Sequence, residues 1–428
     1  NKVADLFLIH SRKIFRRCDD SVVRVNRGRV LLLRRSRGYA PEPIGLHLHL
    51  PEILACGGEQ KNTFCLTKND KAFLSQHIGD LENGQTLLNF EEGIEHYKTL
   101  FDIKPDIVAS DLHPEYLSTK YALTYPGEVK KIGVQHHHAH LASCLADNGE
   151  DGRAIGVCFD GTGYGPDGCI WGGEFLVGDY KDFIRAAHLT YVPIPSGSMA
   201  IKEPWRMAVS YLYAAYGSEM EFLNIDFTRC LPECWRLLRE ALDKKINSPL
   251  TSSCGRLFDG VAALVGLKNK VTYEGQAAVE LEQLITPGED NFYPFEISSS
   301  GQWEIDWRPL IRGVVDDLKN GISQGIIAAK FHNTVAQMCM KTCLLIREFY
   351  GINKVALSGG VFQNVYLVNK AEDILIRERF RVLTHSRVPP NDGGLSLGQA
   401  LVASYQTMGD EGSMSDVFSG SGKNHWNR

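Results

Sequence analysis

The sequence has no cysteines in a CxxC arrangement, no apolar run long enough to cross a bilayer and no strong excess of one charge. Its formal net charge is −5, from 46 basic and 51 acidic residues among 428. We therefore expect neither a protein that binds nucleic acid through a broad basic surface nor a membrane protein. The eleven cysteines are scattered, several of them in apolar runs. This pattern predicts reduced, buried thiols and a cytoplasmic location.

The order of predicted elements divides the chain into four parts. The pattern of residues 1–45 predicts strands and turns that begin abruptly. We expect them to be the end of a domain whose beginning lies outside this sequence. Residues 46–150 predict a strand–turn–strand unit followed by alternating helices and strands, and residues 151–408 repeat that plan. Residues 409–428 are polar and rich in glycine and serine, which predicts a disordered tail. The alternation predicts an α/β layer fold, and its repetition predicts two lobes with a nucleotide site in the cleft.

Four histidines stand within five residues in "VQHHHAHLASCLADNG", where a predicted strand ends and a predicted helix begins. If the helix starts near His136, then His136 and His140 lie one turn apart on the same face. Two imidazoles in that arrangement suit one metal ion. His137 and His138 would point to other faces. Hydrogen-bonded histidines without a metal, at the start of a helix, are the alternative interpretation.

Two aspartates are the best candidates for the oxygen ligands that such an ion would also need. Asp160 follows the apolar run "AIGVCF", at the carboxyl end of a predicted strand, and Asp392 stands just before a predicted helix. Taken alone, Asp392 is better explained as a helix N-cap. Two histidines and two carboxylates suit iron or zinc, with a position left for a phosphate or carbonyl oxygen.

Glycines at two predicted strand ends indicate a phosphate site. In "FDGTGYGPDG", Gly161, Gly163 and Gly165 come before a predicted strand, so a hairpin turn with exposed N–H groups is expected and a Rossmann fingerprint is not. A plain flexible turn is the alternative. Gly359 and Gly360 lie between a predicted strand and a predicted helix, where the backbone can approach a ligand. A connection that merely needs small residues explains this second pair equally well.

Four segments together resemble the HypF family of carbamoyltransferases, which act in the maturation of nickel–iron hydrogenases. They stand in order along residues 46–408: "VQHHHAHLASCLADNG", "FDGTGYGPDGCIWGGEF", "SGGVFQNVYL" and "PPNDGGLSLGQA". The resemblance implies a two-lobed α/β fold of the actin, Hsp70 and sugar-kinase type, built from a duplicated RNase H-like unit. Residues 46–150 would form lobe I, and residues 151–408 lobe II, of a TsaD-like carbamoyltransferase domain. Residues 1–45 resemble the end of the family's YrdC-like α/β domain.

The same resemblance implies roles for the residues that match the family's motifs. One divalent ion, iron or zinc, would be bound by four catalytic residues, namely His136, His140, Asp160 and Asp392. ATP would be the cofactor, with carbamoyl-adenylate as the intermediate formed from it. The phosphates would lie against Gly161, Gly163, Gly359 and Gly360. Candidates for contacts with its ribose, base or phosphate edge are Asp259 in a helical pattern, Glu274 and Gly275 in a turn, and Asn364. Weaker candidates for cations in the cleft are Lys202 and Arg206.

The implied reaction passes a carbamoyl group from carbamoyl-adenylate to the C-terminal cysteine thiol of a HypE-like partner. Carbamoyl phosphate and ATP would be the small-molecule substrates. The family's acylphosphatase-like domain, its zinc fingers and most of its YrdC-like domain have no counterpart in this sequence. The chain alone is therefore expected to be incomplete for the whole reaction.

Two other functions stay open. A TsaD-like enzyme that transfers threonylcarbamoyl to tRNA would share the metal and nucleotide sites, although the acidic balance of the chain does not favour it. A nucleotide-dependent binding module or chaperone would share the fold without any transfer chemistry.

Overall fold

The computed structural model describes residues 4–12, 14–299 and 301–413. The strands are β1 (Val22–Asn26), β2 (Arg29–Arg34), β3 (Ile44–Leu50), β4 (Ile53–Ala55), β5 (Cys65–Leu74), β6 (Ile107–Asp111), β7 (Lys130–Val134), β8 (Ala154–Tyr164), β9 (Ile170–Gly178), β10 (Phe183–Leu189), β11 (Val192–Pro193), β12 (Leu250–Thr251), β13 (Glu296–Ser299), β14 (Trp303–Asp306), β15 (Lys354–Ser358) and β16 (Arg381–Leu383).

The helices are α1 (Gly84–Phe101), α2 (Leu117–Thr124), α3 (His136–Asn148), α4 (Met199–Lys202), α5 (Trp205–Tyr216), α6 (Asp226–Arg229), α7 (Trp235–Asp243), α8 (Cys254–Leu264), α9 (Gln276–Gln283), α10 (Arg308–Lys319), α11 (Gln324–Tyr350), α12 (Val365–Arg377) and α13 (Leu395–Ser413). Short 3-10 helices occur at Gly217–Phe222, Gly360–Gln363 and Asp392–Gly394. Within the described ranges, no helix combines the length and the apolar character needed to cross a membrane.

Two sheets with the same pairing pattern form the two lobes. The first sheet has the order β3-β5-β4-β6-β7, and the second contains the order β10-β9-β8-β15-β16. In each sheet the first two pairings are antiparallel and the last two are parallel. This repetition confirms the predicted two-lobed, duplicated α/β fold. The lobes differ in chain order, because β3 precedes the other strands of its sheet whereas β10 follows β8 and β9.

The N-terminal hairpin of β1 and β2 lies against helix α12 of the second lobe. Arg27 forms two hydrogen bonds with Asp373, at 2.6 and 2.7 Å, and Arg29 pairs with Glu372 at 3.0 Å. The chain then enters the first sheet at Ile44, two residues before the predicted boundary. The assignment of residues 1–45 to a YrdC-like domain stays a prediction.

Helix α13 returns to the first lobe, although the sequence predicts residues 151–408 as one lobe. Its Leu395, Leu397 and Ala400 share a core with Ile53 of β4 and Val134 of β7. The physical reason is that α13 buries its apolar face against α3 and the first sheet after the chain has left β16.

Helix α13 also extends into the region where the sequence predicts a disordered tail. The helix ends at Ser413, so residues 409–413 are helical. The rest of that predicted tail, residues 414–428, lies outside the described part of the chain.

Helix α3, which carries the four histidines, is the most enclosed helix of the site. All of its residues from His136 to Asp147 are buried. The helix starts after Gln135, whose side chain accepts a hydrogen bond from the His138 N–H group, and it ends at Gly149 in the left-handed conformation. Helix α13 crosses α3 so closely that a Cβ atom at Gly398 would overlap the carbonyl oxygen of Ala139. The histidine helix is therefore packed tightly against α13.

We expect Gly398→Ala to lower the free energy of unfolding by about 1–3 kcal/mol, because the added methyl group overpacks the α3–α13 crossing. Urea unfolding followed by circular dichroism measures this loss. Gly84→Ala is the matched control, since Gly84 is exposed at the start of α1 and a Cβ atom there meets no neighbour. Equal stability of the two variants would contradict the close crossing.

Candidate metal and nucleotide site

The four predicted metal ligands come together between the lobes. One donor atom from each of His136, His140, Asp160 and Asp392 lies within 4.8 Å of every other. His140 Nε2 is 3.1 Å from Asp160 Oδ2 and 3.6 Å from Asp392 Oδ1. The corresponding distances from His136 Nε2 are 3.3 and 3.7 Å. Two nitrogen and two oxygen donors in this arrangement fit a zinc or iron ion.

The histidines are held so that both Nε2 atoms face the cluster. Asp111 Oδ2 lies 2.7 Å from His136 Nδ1, and both side chains are fully buried. Ser358 Oγ lies 3.5 Å from His140 Nδ1. A proton on each Nδ1 atom leaves the lone pair of Nε2 free for a metal ion, which is the usual arrangement of metal-binding histidines.

The electrostatics of the cluster favour a cation. Burial opposes protonation of His136, yet the carboxylates of Asp111 and Asp392 raise its pKa well above the usual value. Burial likewise opposes ionisation of Asp160, yet hydrogen bonds from His136 and His140 hold its pKa well below the usual value. Two largely buried carboxylates that face two imidazoles thus attract positive charge, which a divalent ion supplies.

Asp392 does not cap a helix, although that is the better explanation from the sequence alone. The cap of the 3-10 turn is Asn391, whose Oδ1 accepts a hydrogen bond from the Gly393 N–H group at 2.9 Å. The Nδ2 group of Asn391 donates to Leu33 O at 3.1 Å. Because its neighbour satisfies the turn, the Asp392 carboxylate is free to face the histidines.

Asp160 reaches the cluster from a bulge in β8. Phe159 pairs with Gly173 and Gly163 pairs with Trp171, so residues 160–162 stand opposite a single residue of β9. Asp160 Oδ1 accepts hydrogen bonds from the N–H groups of Gly161 at 2.8 Å and Gly360 at 3.2 Å. Its other oxygen is the one that faces the histidines.

The predicted segment does form a hairpin between β8 and β9, but its turn lies beyond Gly161 and Gly163. Both glycines lie within β8, and the turn comes later, where Gly165 N–H donates to Cys169 O at 2.9 Å. The strand continues because Gly163 resumes the pairing with β9 beyond the bulge. Gly163 packs on His137, since a Cβ atom there would overlap the imidazole ring.

A cavity of about 480 Å³ opens beside the cluster. Most of the predicted nucleotide residues line it, namely Gly161, Asp259, Glu274, Gly275, Gly360 and Asn364, together with Asp160 and Asp392. Gly163 and Gly359 do not line it. Gly359 has φ +99° and packs so tightly on β8 that a Cβ atom would overlap Phe159 O. These two glycines therefore serve packing.

Three cations that line the cavity are missing from the sequence prediction, namely Arg24, Lys61 and Arg256. Lys61, from the loop after β4, forms an ion pair with Glu274 across the cleft. Arg256 Nη2 lies 3.0 Å from Asp259 Oδ2, while Nε and Nη1 of Arg256 are buried without a hydrogen-bond partner. Such a guanidinium beside a glycine-lined wall suits an anionic ligand. The spacing of Arg256 and Asp259, three residues apart in one helical pattern, is the signal that could have found the pair.

The candidate cations Lys202 and Arg206 do not line the cavity. Arg206 Nε donates to Glu203 Oε2 at 2.6 Å on its own helical turn. Asp111, which contacts His136, is also missing from the sequence prediction. It ends β6 in register with Val134 of β7, directly before the histidine helix. Because parallel strands end at one edge of a sheet, that position alone places its carboxylate near His136.

Comparisons with known proteins agree with this arrangement. A family model described as "Carbamoyltransferase, Kae1-like Domain, second subdomain" matches residues 156–399. A second, described as "HypF Kae1-like domain", matches residues 49–147. The carbamoyltransferase HypF of Synechocystis sp. is 40% identical over 423 residues, which cover 93% of this chain and 53% of that protein. The carbamoyltransferase HypF homolog of Cupriavidus necator is 31% identical over 375 residues, covering 84% of this chain and 92% of that protein.

A solved structure has the same fold over nearly the whole chain. It is the crystal structure of full-length HypF in the phosphate- and nucleotide-bound form, with a TM-score of 0.89 and 45% identity. The superposition covers 94% of this chain and 63% of that chain. This chain thus spans little more than half the length of the Synechocystis relative.

We expect Asp111→Asn to weaken zinc binding about 10- to 100-fold, because a neutral amide no longer polarises His136. Competition with a chromogenic chelator measures the dissociation constant. The control is His138→Gln, on the same helix, since His138 Nε2 contacts Asp179 O and faces away from the cluster. An equal loss in both variants, or unchanged binding in Asp111→Asn, would speak against this metal site.

Proposed function

The chain belongs to the HypF family of carbamoyltransferases, and on that premise we propose that it transfers a carbamoyl group in hydrogenase maturation. The donor is carbamoyl-adenylate, made from carbamoyl phosphate and ATP. The acceptor is the C-terminal cysteine thiol of a HypE-like partner. The observation that carries this proposal is the four-ligand cluster, which opens directly into a cavity of nucleotide size between the lobes.

The cavity has the polar and apolar walls that an adenine nucleotide requires. Its volume of about 480 Å³ lies within the range of ligand pockets. Phe258 and Val279 supply apolar surface, while Asp259 and Glu274 supply acceptors for hydroxyl or amino groups. The unpaired guanidinium edge of Arg256 suits a phosphate. A solved HypF relative is named as phosphate- and nucleotide-bound, which supports nucleotide binding by this family.

The proposed chemistry forms a carbon–sulfur bond and breaks a carbon–oxygen bond. The partner thiolate attacks the carbamoyl carbon, and AMP leaves with the bonding electrons. The N–H groups of the bulge and of Gly360 hold Asp160 in place, and Arg256 is placed to neutralise the leaving phosphate. A divalent ion at the four ligands, when bound, supplies a Lewis acid. Enclosure of the donor between two lobes fixes its orientation toward the thiol.

The acceptor thiol belongs to another molecule in this proposal. Cys158, two residues before Asp160, is fully buried, and burial raises the pKa of its thiol. Its Sγ atom donates to His137 O at 3.4 Å. A buried thiol with a raised pKa is a poor nucleophile.

The test supplies carbamoyl-adenylate, so that no missing domain is needed, together with the HypE-like partner. We expect wild type to modify the partner's terminal cysteine and His136→Ala/His140→Ala to lose the activity, with mass spectrometry of the partner as the readout. His138→Gln and a partner ending in serine are the controls. Undiminished transfer by the double variant would refute the mechanism. Nucleotide binding without transfer by wild type would favour a binding module.

Adenosine affinity is expected to fall as the pH drops from about 8 to about 5. Burial raises the pKa of Asp259 to about 6, with Glu274 acting in the same direction and Arg256 opposing it. Above that pKa the carboxylate accepts a ribose or base hydrogen bond, and below it the protonated form does so poorly. Adenosine is used in place of a nucleotide because a phosphate group would itself titrate near about pH 6 and obscure the titration of Asp259.

Calorimetry across this pH range measures the adenosine affinity. Asp259→Asn should bind more weakly at high pH and show little pH dependence. The control is Asp290→Asn, which removes an exposed partner of Lys370. The same inflection near pH 6 in Asp259→Asn would exclude Asp259 as its source.

A further inference from the structure

A line of buried polar side chains leads from His140 away from the metal cluster. Ser358 Oγ lies 3.5 Å from His140 Nδ1 and 2.8 Å from His385 Nε2. His385 Nδ1 lies 3.5 Å from Asp147 Oδ2, a separation at which the attraction is chiefly electrostatic. All four side chains are buried. The line therefore connects the cluster to a second, separate carboxylate through side chains alone.

Asp147 is a firmly held carboxylate at the far end. Its oxygens accept hydrogen bonds from Ser386 N–H at 2.7 Å, Arg387 N–H at 3.0 Å and Arg387 Nε at 3.1 Å. Burial opposes its ionisation, but these groups and His385 hold its pKa below the usual value. A fixed negative charge thus faces the Nδ1 atom of His385.

We propose that Ser358 and His385 are positioning residues that hold His140 in the tautomer with its proton on Nδ1, so that Nε2 is free for a metal ion. The inference rests on the metal site proposed above. In neutral His385, the Asp147 carboxylate selects the proton on Nδ1, which leaves a lone pair on Nε2. The Ser358 hydroxyl donates to that lone pair, and its oxygen is then left to accept from His140 Nδ1–H.

The opposite direction of the line is disfavoured by charge. With the proton of His140 on Nε2, its Nδ1 would need a donor, which is the Ser358 hydroxyl. His385 would then have to donate from Nε2, and its Nδ1 lone pair would face the Asp147 carboxylate. That arrangement sets a lone pair against a buried negative charge, which is costly in a low-dielectric interior.

The two histidines are therefore supported differently. His136 contacts a carboxylate directly, at 2.7 Å from Asp111. His140 contacts the neutral hydroxyl of Ser358, and only Ser358 and His385 connect it to the Asp147 carboxylate. A neutral partner polarises an imidazole less than a carboxylate does. Loss of Ser358 or His385 should thus affect metal affinity at the lower end of the range known for supporting residues, about tenfold.

The test is a titration of the full chain with Co²⁺, whose visible absorption reports the ligand geometry. We expect Ser358→Ala and His385→Phe each to bind Co²⁺ about tenfold more weakly and to shift the absorption bands. Ser358→Thr keeps the hydroxyl, and His385→Gln keeps an acceptor for it, so both should recover most of the affinity. Adenosine affinity should stay unchanged in all four variants, because neither Ser358 nor His385 lines the cavity.

The controls separate positioning from a general loss of structure. Thermal unfolding of the metal-free proteins shows whether each variant is folded. If His385→Phe does not fold, the test depends on Ser358→Ala, which is the smallest change. Wild-type affinity and an unshifted spectrum in Ser358→Ala would overturn this inference while the metal site stands. If wild type and His136→Ala/His140→Ala bind Co²⁺ equally, the proposed metal site fails, and this inference fails with it.

Discussion

Two buried carboxylates that face two imidazoles impose the constraint on which the rest of this structure depends. Asp160 and Asp392 place like charges near each other where little water reaches them, and such an arrangement is stable only with compensating positive charge. The histidine side chains lie in the position to share that charge. A divalent ion satisfies all four groups at once. The cluster thus joins elements that are far apart in the chain, and it is also the proposed site of the chemistry.

Several local features that look incidental serve this join. The bulge in β8 turns Asp160 toward the cluster. Asn391 caps the 3-10 turn with its side chain, which leaves the Asp392 carboxylate free to face the histidines. The α3–α13 crossing, which is close at Gly398, packs the histidine helix against α13. The ion pair between Lys61 and Glu274 then closes the adjacent cavity from the other lobe. The proposed metal site and the proposed nucleotide site therefore both depend on the way in which the lobes pack.

Some of this arrangement follows from local patterns, and some depends on tertiary contacts that no local pattern contains. Helical spacing is enough to select His136 and His140 from four histidines, and strand-end position is enough to select Asp160. The bulge that keeps Gly163 in a strand depends on pairing with β9. The return of α13 to the first lobe depends on which apolar face remains uncovered. Arg256 becomes a candidate for ligand binding only when the fold places it in the lining of the cavity.

The central claim is that one ion joins His136, His140, Asp160 and Asp392. X-ray absorption spectroscopy of the zinc-loaded chain tests it most directly, because it identifies the ligand atoms. The account predicts imidazole nitrogen and carboxylate oxygen at about 2.0–2.2 Å and no sulfur near about 2.3 Å. A sulfur shell, or a spectrum that His136→Ala leaves unchanged, would contradict it.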